Sequence, residues 1–329
     1  MRAVLLTGHG GFERLSIRAD VPIPVPGGDE VLIRVTAAAV NNTDINTRVG
    51  WYDGGGWTGS FQFPRIQGID ACGHIMSVGA DVAESRIGER VIVEPCWRGV
   101  DHGIRFFGSE VDGAFAEFTL APARYAHAVA SALSDVELAS FPCAYSTAEN
   151  MLARARVVPG ERVLITGASG GVGSAAVQLA VARGAEVAAV AGAEKHAAIR
   201  ALGASAVVDR DAELLAEFGS DSFEAVIDVV GGAAWPSLLS VLQPGGRYAT
   251  AGAVADPNVP LDLRTLYLKD LTLYGCTVLD EGVFTGLVER IENGSVKPLI
   301  AAVLSLDEIV AAQELFLAKH HVGKIVLTV

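Results

Sequence analysis

The sequence predicts an α/β protein with two domains: a β-rich domain, and a second domain built on a doubly wound parallel sheet. Its 329 residues suit about two domains of roughly 150 residues each. From residue 161 to about residue 292, short β-branched runs alternate with helical segments, which is typical of a parallel sheet covered by helices on both faces. Before about residue 125, short β-prone runs are separated by Gly and Pro clusters, which indicates a small barrel or sandwich.

The β-rich part contains several predicted strands, and a helical region follows it. The strands are expected at residues 3–6, 30–37, 73–78, 90–93 and 116–120. A helix is expected over residues 136–156, with an interruption at Pro142 and Cys143. The tail from Lys297 onward predicts one more helix and a final strand, at residues 306–319 and 324–329. We expect this tail to return to the first domain, which then comprises residues 1–125 and 297–329, with residues 126–296 forming the second domain.

The alternating part predicts six strands and five helices. The strands are expected at residues 162–166, 186–191, 206–209, 224–230, 246–251 and 271–277. The helices are expected at residues 171–183, 194–202, 211–218, 232–242 and 281–292. Six parallel strands suit a doubly wound fold that binds a dinucleotide.

Composition and charge argue against several classes of partner. Half of the residues are hydrophobic and 19% are charged, so a large core can form and disorder is not expected. The net charge of −13 comes without any basic cluster, which argues against nucleic acid or an anionic membrane surface as a partner. We recognise no signal peptide and no apolar run of the ~20 residues that a membrane helix needs. The four cysteines form no Cys-x-x-Cys pair, which is typical of reduced thiols in a cytoplasmic protein.

One turn in the alternating part has the pattern of a phosphate-binding loop. The chain passes from a β-branched strand through glycines at 167, 170, 171 and 173 into an alanine-rich helix. Glycines allow the backbone to approach a pyrophosphate, and the helix N-terminus offers free N–H groups and the positive end of its dipole. Because Ala168 stands where the first glycine of the usual pattern would be, the turn alone is weak evidence. The predicted cofactor contacts are Ala168, Ser169, Gly170, Gly171, Val172 and Gly173.

Motifs along essentially the whole chain resemble those of the medium-chain dehydrogenase/reductase superfamily. They are AAAVNNTDINTRVG (37–50), FPRIQGIDACGHIMSVGADV (63–82), IGERVIV (87–93), DGAFAEF (112–118), FPCAYSTAENML (141–152), VLITGASGGVGSAAVQLA (163–180), LQPGGRYATAG (242–252) and GKIVL (323–327). The ASGGVG form of the glycine loop resembles the zinc-independent quinone oxidoreductase branch. The resemblance implies a GroES-like β-barrel catalytic domain, a Rossmann domain that binds the cofactor, and a homodimer that joins apolar edge strands at residues 271–278.

The positions at which zinc-dependent members of this superfamily hold their catalytic metal are changed in this chain. The resemblance places the three ligands at Asn41, Ile69 and Cys143. Isoleucine cannot ligate a metal, and a catalytic zinc needs three protein ligands that donate N, S or carboxylate O. Residues 95–111, where the resemblance would place four cysteines around a structural zinc, contain one. We therefore expect no metal, and we interpret Cys143 as a packed residue rather than a nucleophile.

The end of the second strand of the alternating part indicates which nicotinamide cofactor is used. NAD-preferring sites have Asp or Glu there, which accepts a hydrogen bond from the ribose 2′-OH. Residues 191–193 carry no acid, and the resemblance places Lys195 where it meets the 2′-phosphate of NADPH. Glu194 opposes this assignment, and a Glu-Lys pair is also compatible with a solvated helix start, so NADPH is expected ahead of NADH. The resemblance also assigns to the cofactor site Thr147, Gly252, Cys276 and Lys324.

Without a metal, the predicted chemistry is hydride transfer to a small-molecule acceptor that spreads negative charge by conjugation, such as a quinone, enone or enal. We predict that Asn41 donates a hydrogen bond to the acceptor carbonyl. The resemblance places Thr43 at a hydroxyl position that relays a proton or contacts the nicotinamide ribose. Asn46 replaces a tyrosine common in the quinone oxidoreductase branch, and Tyr52 is a candidate substitute for it. These residue types are also compatible with plain turn chemistry.

The glycine-rich loop at residues 50–63 carries aromatic side chains, which either line the site of a flat acceptor or only pack the barrel mouth. They are Trp51, Tyr52, Trp57, Phe61 and Phe63. Two other functions stay open. An alcohol dehydrogenase that holds a metal through other ligands would contain stoichiometric zinc. A non-catalytic NADPH-binding protein would bind the cofactor but oxidise it with no acceptor.

Overall fold

The computed structural model describes residues 1–54, 61–99 and 102–329. The strands are β1 (Ala3–Leu6), β2 (Leu15–Arg18), β3 (Glu30–Ala39), β4 (Arg65–Ile66), β5 (Asp70–Val78), β6 (Arg90–Val93), β7 (Cys96–Arg98), β8 (Ile104–Phe106), β9 (Phe118–Pro122), β10 (Ala126–Ala128), β11 (Arg162–Ile165), β12 (Glu186–Val190), β13 (Ala206–Val208), β14 (Phe223–Asp228), β15 (Leu242–Thr250), β16 (Thr272–Gly275), β17 (Ile300–Ser305) and β18 (Lys324–Thr328). The helices are α1 (Asn42–Val49), α2 (Asp135–Leu138), α3 (Pro142–Arg154), α4 (Gly171–Ala182), α5 (His196–Ala201), α6 (Leu214–Phe218), α7 (Trp235–Ser240), α8 (Leu263–Leu268), α9 (Val283–Glu292) and α10 (Ile309–Ala318). The chain divides into two compact units, Met1–Cys143 with Phe284–Val329, and Ala144–Val283.

The first unit is organised around β3. This strand pairs with β5 on one side, while on its other side its first half pairs with β9 and its second half with β18. Because β18 also pairs with β17, the C-terminal strands complete a sheet that the N-terminal part begins, as the sequence predicts. Val31, Ile33 and Val35 alternate along β3 and pack into the core of the unit, which is the two-residue period expected of a strand.

The second unit contains a six-stranded parallel sheet in the order β13-β12-β11-β14-β15-β16. The strand order reverses between β11 and β14, which makes the carboxyl end of these two strands the expected ligand-binding edge. The predicted strands and helices of the alternating part are confirmed. The short helix α8, which the sequence analysis did not anticipate, is six residues long and has no buried residue, so it carries no amphipathic signal.

The two junctions between the units lie at residues 143/144 and 283/284. Residues 126–143 and 284–296, which the sequence analysis assigned to the second domain, therefore lie in the first unit. They are held there by contacts between distant segments. β10 pairs with β6, Ala130 N donates to Glu292 (2.7 Å), and the His127 ring packs against Phe284. Such contacts leave no signal in a local sequence pattern.

The helical region predicted at residues 136–156 forms two helices, α2 and α3. Ser134 caps α2 by accepting a hydrogen bond from Glu137 N (3.3 Å). α3 begins at Pro142, a residue that suits the first helical turn because it has no N–H group to satisfy. None of the described helices has the length and apolar character needed to cross a membrane.

Candidate active site

The glycine turn of the second unit joins β11 to α4 by close backbone packing. Gly167 has a φ of +57°, in the left-handed region. A Cβ on Gly173 would lie 2.2 Å from the carbonyl oxygen of Gly167, so no side chain fits between the helix and the strand. Ala168 is fully buried, and its N–H donates to Val190 O (3.1 Å). Ala168 therefore belongs to the packing beneath the turn, which explains why a methyl group is tolerated at this position.

The rim of the same turn can receive an anion. Gly170 is exposed, and Ser169, Gly171 and Val172 are half-buried, at the start of the 12-residue helix α4. The N-terminus of such a helix presents N–H groups and the positive end of the helix dipole. This arrangement fits the pyrophosphate of a dinucleotide, and the individual contacts predicted from the sequence remain predictions.

Charged side chains gather at the tip of β12. Lys195 is largely buried, and its ammonium lies 4.0 Å from a carboxylate oxygen of Glu194. A Cβ on Gly192 would lie 2.8 Å from the Glu194 carboxylate and 2.9 Å from the Arg210 guanidinium, so both groups reach over this glycine. The sequence analysis missed Arg210. It follows β13, which pairs with β12, and that strand order was the signal that could have placed it there.

A buried carboxylate shapes the ligand-binding edge at the end of β14. Asp228 is fully buried and accepts hydrogen bonds from the hydroxyls of Thr166 and Tyr248. It also accepts from Val230 N (2.9 Å) and Gly231 N (3.1 Å), so it holds the turn that follows β14. Burial, together with the Asp228 charge, raises the pKa of Tyr248, so this tyrosine stays a donor. The sequence analysis did not single out Asp228.

Two predicted cofactor residues lie at neighbouring strand ends on the same edge. Gly252 follows β15, and its carbonyl accepts from the Thr250 hydroxyl (3.0 Å). Cys276 follows β16 and is buried, and its N–H donates to Thr250 O (2.8 Å). Burial raises the pKa of the Cys276 thiol, so the thiol is a packed neutral group. Thr147 lies on α3 and is half-buried.

The first unit has a closed cluster of polar groups at its centre. Lys324, at the start of β18, is 3% exposed, and Asp70, at the start of β5, is 0% exposed. The Lys324 ammonium lies 2.8 Å from Asp70 Oδ2 and also donates to Asn41 Oδ1 and Val40 O. Asp70 Oδ1 accepts from Cys143 N (2.6 Å). A buried ion pair satisfied on all sides in this way holds its geometry tightly.

Asn41 is part of this cluster rather than of an open surface. Its Nδ2 donates to Ala39 O (3.1 Å) and to Asp70 Oδ2 (2.8 Å), which uses both amide hydrogens. Its backbone N–H donates to Asp44 (2.8 Å), which caps α1. The predicted role of Asn41 as a donor to the acceptor carbonyl remains a prediction, and in this structure its donors are directed into the protein.

Asp44 adds a second buried carboxylate beside the cluster. It accepts from Asn41 N and from Gly68 N (3.2 Å), and its carbonyl accepts from Gln67 Nε2 (2.8 Å). Burial raises the pKa of Asp44 to about 7, with Asp70 adding to the rise and Lys324 opposing it. Two buried carboxylates thus share the neighbourhood of one ammonium.

Tyr52 lies beside α1, at the side where Thr43 and Asn46 are one helical turn apart. Asn46 Nδ2 donates to the Tyr52 hydroxyl (3.5 Å), and the Thr43 side chain is a neighbour of the same hydroxyl. Burial raises the pKa of Tyr52, so the phenol keeps its proton at neutral pH. The structure therefore brings together two predicted catalytic residues, Thr43 and Tyr52, with the Asn46 that replaces the expected tyrosine.

Part of the aromatic loop packs around His9. The His9 ring lies 4.8 Å from the Phe63 ring, which in turn lies 4.8 Å from the Phe61 ring. Trp51 packs edge-on against Tyr52 at 5.3 Å. Trp57, the remaining aromatic residue of the prediction, lies outside the described residues.

The residues at the implied metal positions do not fit a zinc ion. Both amide hydrogens and the oxygen of Asn41 are engaged, and Ile69 is buried and offers no donor atom. Cys143 is then the one residue of the three with a side chain that could ligate a zinc ion, and a catalytic zinc needs three such ligands. The ammonium of Lys324 already neutralises the carboxylate there. Within the described ranges, no three His, Cys, Asp or Glu side chains form a group that could hold a metal.

Two family models match successive segments of the chain. The model of the alcohol dehydrogenase GroES-like domain matches residues 27–131, and that of the zinc-binding dehydrogenases matches residues 171–293. The acryloyl-coenzyme A reductase of Metallosphaera sedula is 32% identical over 343 residues, which cover 100% of each chain. The chain belongs to the medium-chain dehydrogenase/reductase superfamily.

Other members of the superfamily are similar over nearly their whole length. The quinone oxidoreductase of Lama guanicoe is 29% identical, with 99% of this chain and 97% of the relative covered. A solved structure from Sinorhizobium meliloti 1021, named only provisionally as an alcohol dehydrogenase, has a TM-score of 0.94 at 48% identity, covering 100% and 96% of the two chains. The cobalt- and zinc-bound alcohol dehydrogenase of Pyrobaculum aerophilum has a TM-score of 0.88 at 32% identity, covering 100% and 99%. The protein is an NAD(P)H-dependent oxidoreductase of this superfamily.

Proposed function

We propose that this dehydrogenase/reductase is a zinc-independent, NADPH-dependent reductase of a quinone or an α,β-unsaturated carbonyl compound. The observation that carries the proposal is the buried cluster of Lys324, Asp70 and Asn41. In this cluster the Lys324 ammonium binds the side-chain oxygen atoms of Asp70 and Asn41, which are the atoms that could otherwise ligate a metal ion. A zinc ion placed there would face that ammonium at short range, and like charges repel strongly where water is excluded.

The acceptor class follows from the groups that remain. When bound, NADPH supplies the hydride. Without a metal ion, the chain stabilises negative charge on the acceptor only through hydrogen-bond donors and fixed charges. A conjugated acceptor lessens this demand, because hydride addition at the β-carbon moves the electron pair onto the carbonyl oxygen. A proton then joins the α-carbon to complete the reduction.

Tyr52 is the proposed source of that proton. Asn46 Nδ2 donates to the phenol oxygen (3.5 Å), and in this proposal the phenol gives its own proton to the reduced acceptor. The raised pKa keeps the group protonated at neutral pH. In this proposal Asn41 holds the N-terminus of α1 and the Lys324 cluster in place, while Thr43 and Tyr52 contact the reactants.

The tip of β12 supports NADPH as the cofactor. Lys195 and Arg210 supply two cations near Gly192, where the 2′-phosphate of the adenosine ribose would lie, and Glu194 supplies one anion. Because the Glu194 side chain is 60% exposed, it has room to turn away from a phosphate, and the two cations would then bind that phosphate.

The named relatives support the acceptor class. A reductase of acryloyl-coenzyme A and a quinone oxidoreductase both act on conjugated acceptors, and both align over nearly the whole chain. An alcohol dehydrogenase is the second candidate, because the metal-bound enzyme of Pyrobaculum aerophilum shares the fold at 32% identity.

An acceptor panel separates the two candidates. Purified protein is assayed for NADPH and NADH oxidation with quinones, enones, enals and enoyl thioesters, and for NADP⁺ reduction with alcohols, after its metal content is measured. We expect turnover with conjugated acceptors, faster with NADPH, and unchanged by chelation. Stoichiometric zinc needed for turnover, or alcohol oxidation as the dominant activity, would contradict the proposal.

We also propose that the protein is a homodimer joined through β16. This strand ends the parallel sheet, and Leu273 on it is exposed, as are Leu263, Tyr267 and Leu268 on α8. Exposed apolar edge strands favour pairing with another chain. Sedimentation analysis of Leu273→Lys should show monomer where the parent protein shows dimer, and Leu215→Lys, at an exposed leucine of α6, should not alter the mass. A monomeric parent protein would rule out the dimer.

A further inference from the structure

A clamp of two side chains on α3 holds the loop that follows β16. Arg154 donates to Gly275 O (2.6 Å) and Val278 O (3.0 Å), and its guanidinium binds both carboxylate oxygens of Asp280. Asn150 Nδ2 donates to Val278 O (3.0 Å), and Asn150 Oδ1 accepts from Asp280 N (3.1 Å). The loop over residues 276–280 is thus bonded at its start, its middle and its end.

The clamp is built on one face of α3. Asn150 and Arg154 are four residues apart, and Thr147 precedes Asn150 by three, so the three side chains project from the same side of the helix. Asn150 is fully buried, so its amide is committed to the loop. Charge-assisted and bidentate contacts such as those of Arg154 are stronger and more directional than neutral ones.

The loop that the clamp holds lies on the ligand-binding edge of the sheet. It follows the carboxyl end of β16, the edge at which open parallel sheets bind their ligands. Gly275 is the last residue of β16 and Val278 lies beyond the strand, and the clamp binds the carbonyls of both. A loop without such partners would have to be ordered when the ligand binds, and that ordering weakens binding.

We propose that Asn150 and Arg154 are positioning residues that preorganise the loop at residues 276–280 for the nicotinamide cofactor. The inference rests on the proposed function for the identity of the ligand. It extends that function because neither residue belongs to the glycine turn or to the charged tip of β12. The clamp lowers the dissociation constant of the cofactor and leaves the chemical step to other residues.

The same helix offers a matched control. Glu149 and Arg183 form a bidentate ion pair (2.6 and 2.8 Å) that joins α3 to the end of α4 and is more buried than the Arg154–Asp280 pair, so its loss is the more demanding control for stability. Glu149→Gln removes a buried charge from α3 without touching the loop at residues 276–280. We therefore expect Glu149→Gln and the clamp variants to lower stability, and only the clamp variants to lower the affinity for the cofactor.

The experiment measures NADPH affinity by fluorescence titration, together with KM, kcat and the melting temperature. We expect Arg154→Ala and Asn150→Ala each to raise the dissociation constant of NADPH at least about tenfold, with kcat at saturating NADPH within about threefold of the parent. Arg154→Lys, which keeps the charge and part of the contacts, should recover some of the affinity. Glu149→Gln should lower the melting temperature while the dissociation constant changes less than about twofold.

Hydrogen exchange gives a second readout, because the amides of residues 276–280 should exchange faster in Arg154→Ala and not in Glu149→Gln. Equal effects of Arg154→Ala and Glu149→Gln on NADPH affinity would overturn the inference. So would an unchanged affinity in Arg154→Ala. Failure of the proposed function looks different, since it would show as NADPH binding by the parent protein without turnover of any acceptor.

Discussion

The two units bury charged groups in opposite ways. In the first unit, the Lys324 ammonium, the Asp70 carboxylate and the Asn41 amide satisfy one another inside the core. In the second unit, the buried Asp228 carboxylate binds hydroxyl and backbone donors at a strand end. At the tip of β12, the Arg210 guanidinium and the Glu194 carboxylate reach over Gly192, and the Lys195 ammonium lies beside that carboxylate. In the first arrangement the charges neutralise one another inside the chain, whereas the second lies at the edge where we propose that the cofactor binds.

Because of this difference, substitutions in the two units should have different effects. A closed cluster loses stability when one member is removed, because the partner stays buried without compensation. An open edge loses ligand affinity first, because its groups are only fully used when the ligand is present. The following predictions test that contrast.

Removal of the ammonium from the closed cluster should have the largest effect. Lys324→Met leaves the Asp70 carboxylate buried without its cation, and we expect a loss of about 3–5 kcal/mol in the free energy of unfolding. Urea denaturation measures it. Lys319→Met, at an exposed lysine on the same unit, should cost less than about 1 kcal/mol. A loss for Lys324→Met as small as that of the control would show that the cluster is not closed.

A methyl group inside the glycine turn should come next. In Gly173→Ala the added Cβ meets Gly167 O at 2.2 Å, so α4 or the turn must shift. We expect the free energy of unfolding to fall by about 2 kcal/mol. We also expect the variant to lose most of its affinity for NADPH. Gly170→Ala places its Cβ 3.5 Å from Gly167 O, an ordinary contact, so stability should hold. The idea of close packing fails if both variants are equally stable.

Loss of the phenol hydroxyl should slow the chemical step without unfolding the protein. We expect Tyr52→Phe to lower kcat at least about tenfold at an unchanged melting temperature, because a positioned proton donor is lost. Since burial raises the pKa of Tyr52 above its usual 10.0, kcat of the parent protein should not fall through loss of this proton below about pH 10. Tyr125→Phe, at a tyrosine that stacks on Trp97, is the control. A full kcat in Tyr52→Phe would assign the proton to solvent or another group.

The smallest effect is expected at the open edge, at the tip of β12. Arg210→Ala should raise KM for NADPH about fivefold and leave KM for NADH unchanged, because only NADPH carries the 2′-phosphate that would lose a partner. Glu194→Gln should act in the opposite direction by removing the opposing anion. Steady-state kinetics with both cofactors measures the ratio. An equal rise in both KM values would place Arg210 away from the 2′-phosphate.

Local pattern was sufficient for the alternating strands and helices of the second unit, apart from the short helix α8. The first four strands there carry β-branched residues, and the glycine turn marks the passage from β11 to α4, so neighbouring residues carry the information. The closed cluster had no such signal. Asn41 and Lys324 are 283 residues apart. Asn41 was predicted to be a donor to the substrate, and the resemblance assigned Lys324 to the cofactor site, so nothing in the sequence indicated that they belong to one network.

The sequence by itself determined the two-part architecture, the return of the C-terminal strands, the glycine turn and the loss of metal-ligating residue types at positions 41 and 69. Only the tertiary structure showed that the Lys324 cluster occupies the implied metal site and where the chain divides into two units. It also brought Arg210 to Gly192 and α3 to the loop after β16. The physical reason is that periodicity and turn propensity depend on residues close together in the sequence. Buried charged groups instead pair with residues that are close in space and distant in the sequence.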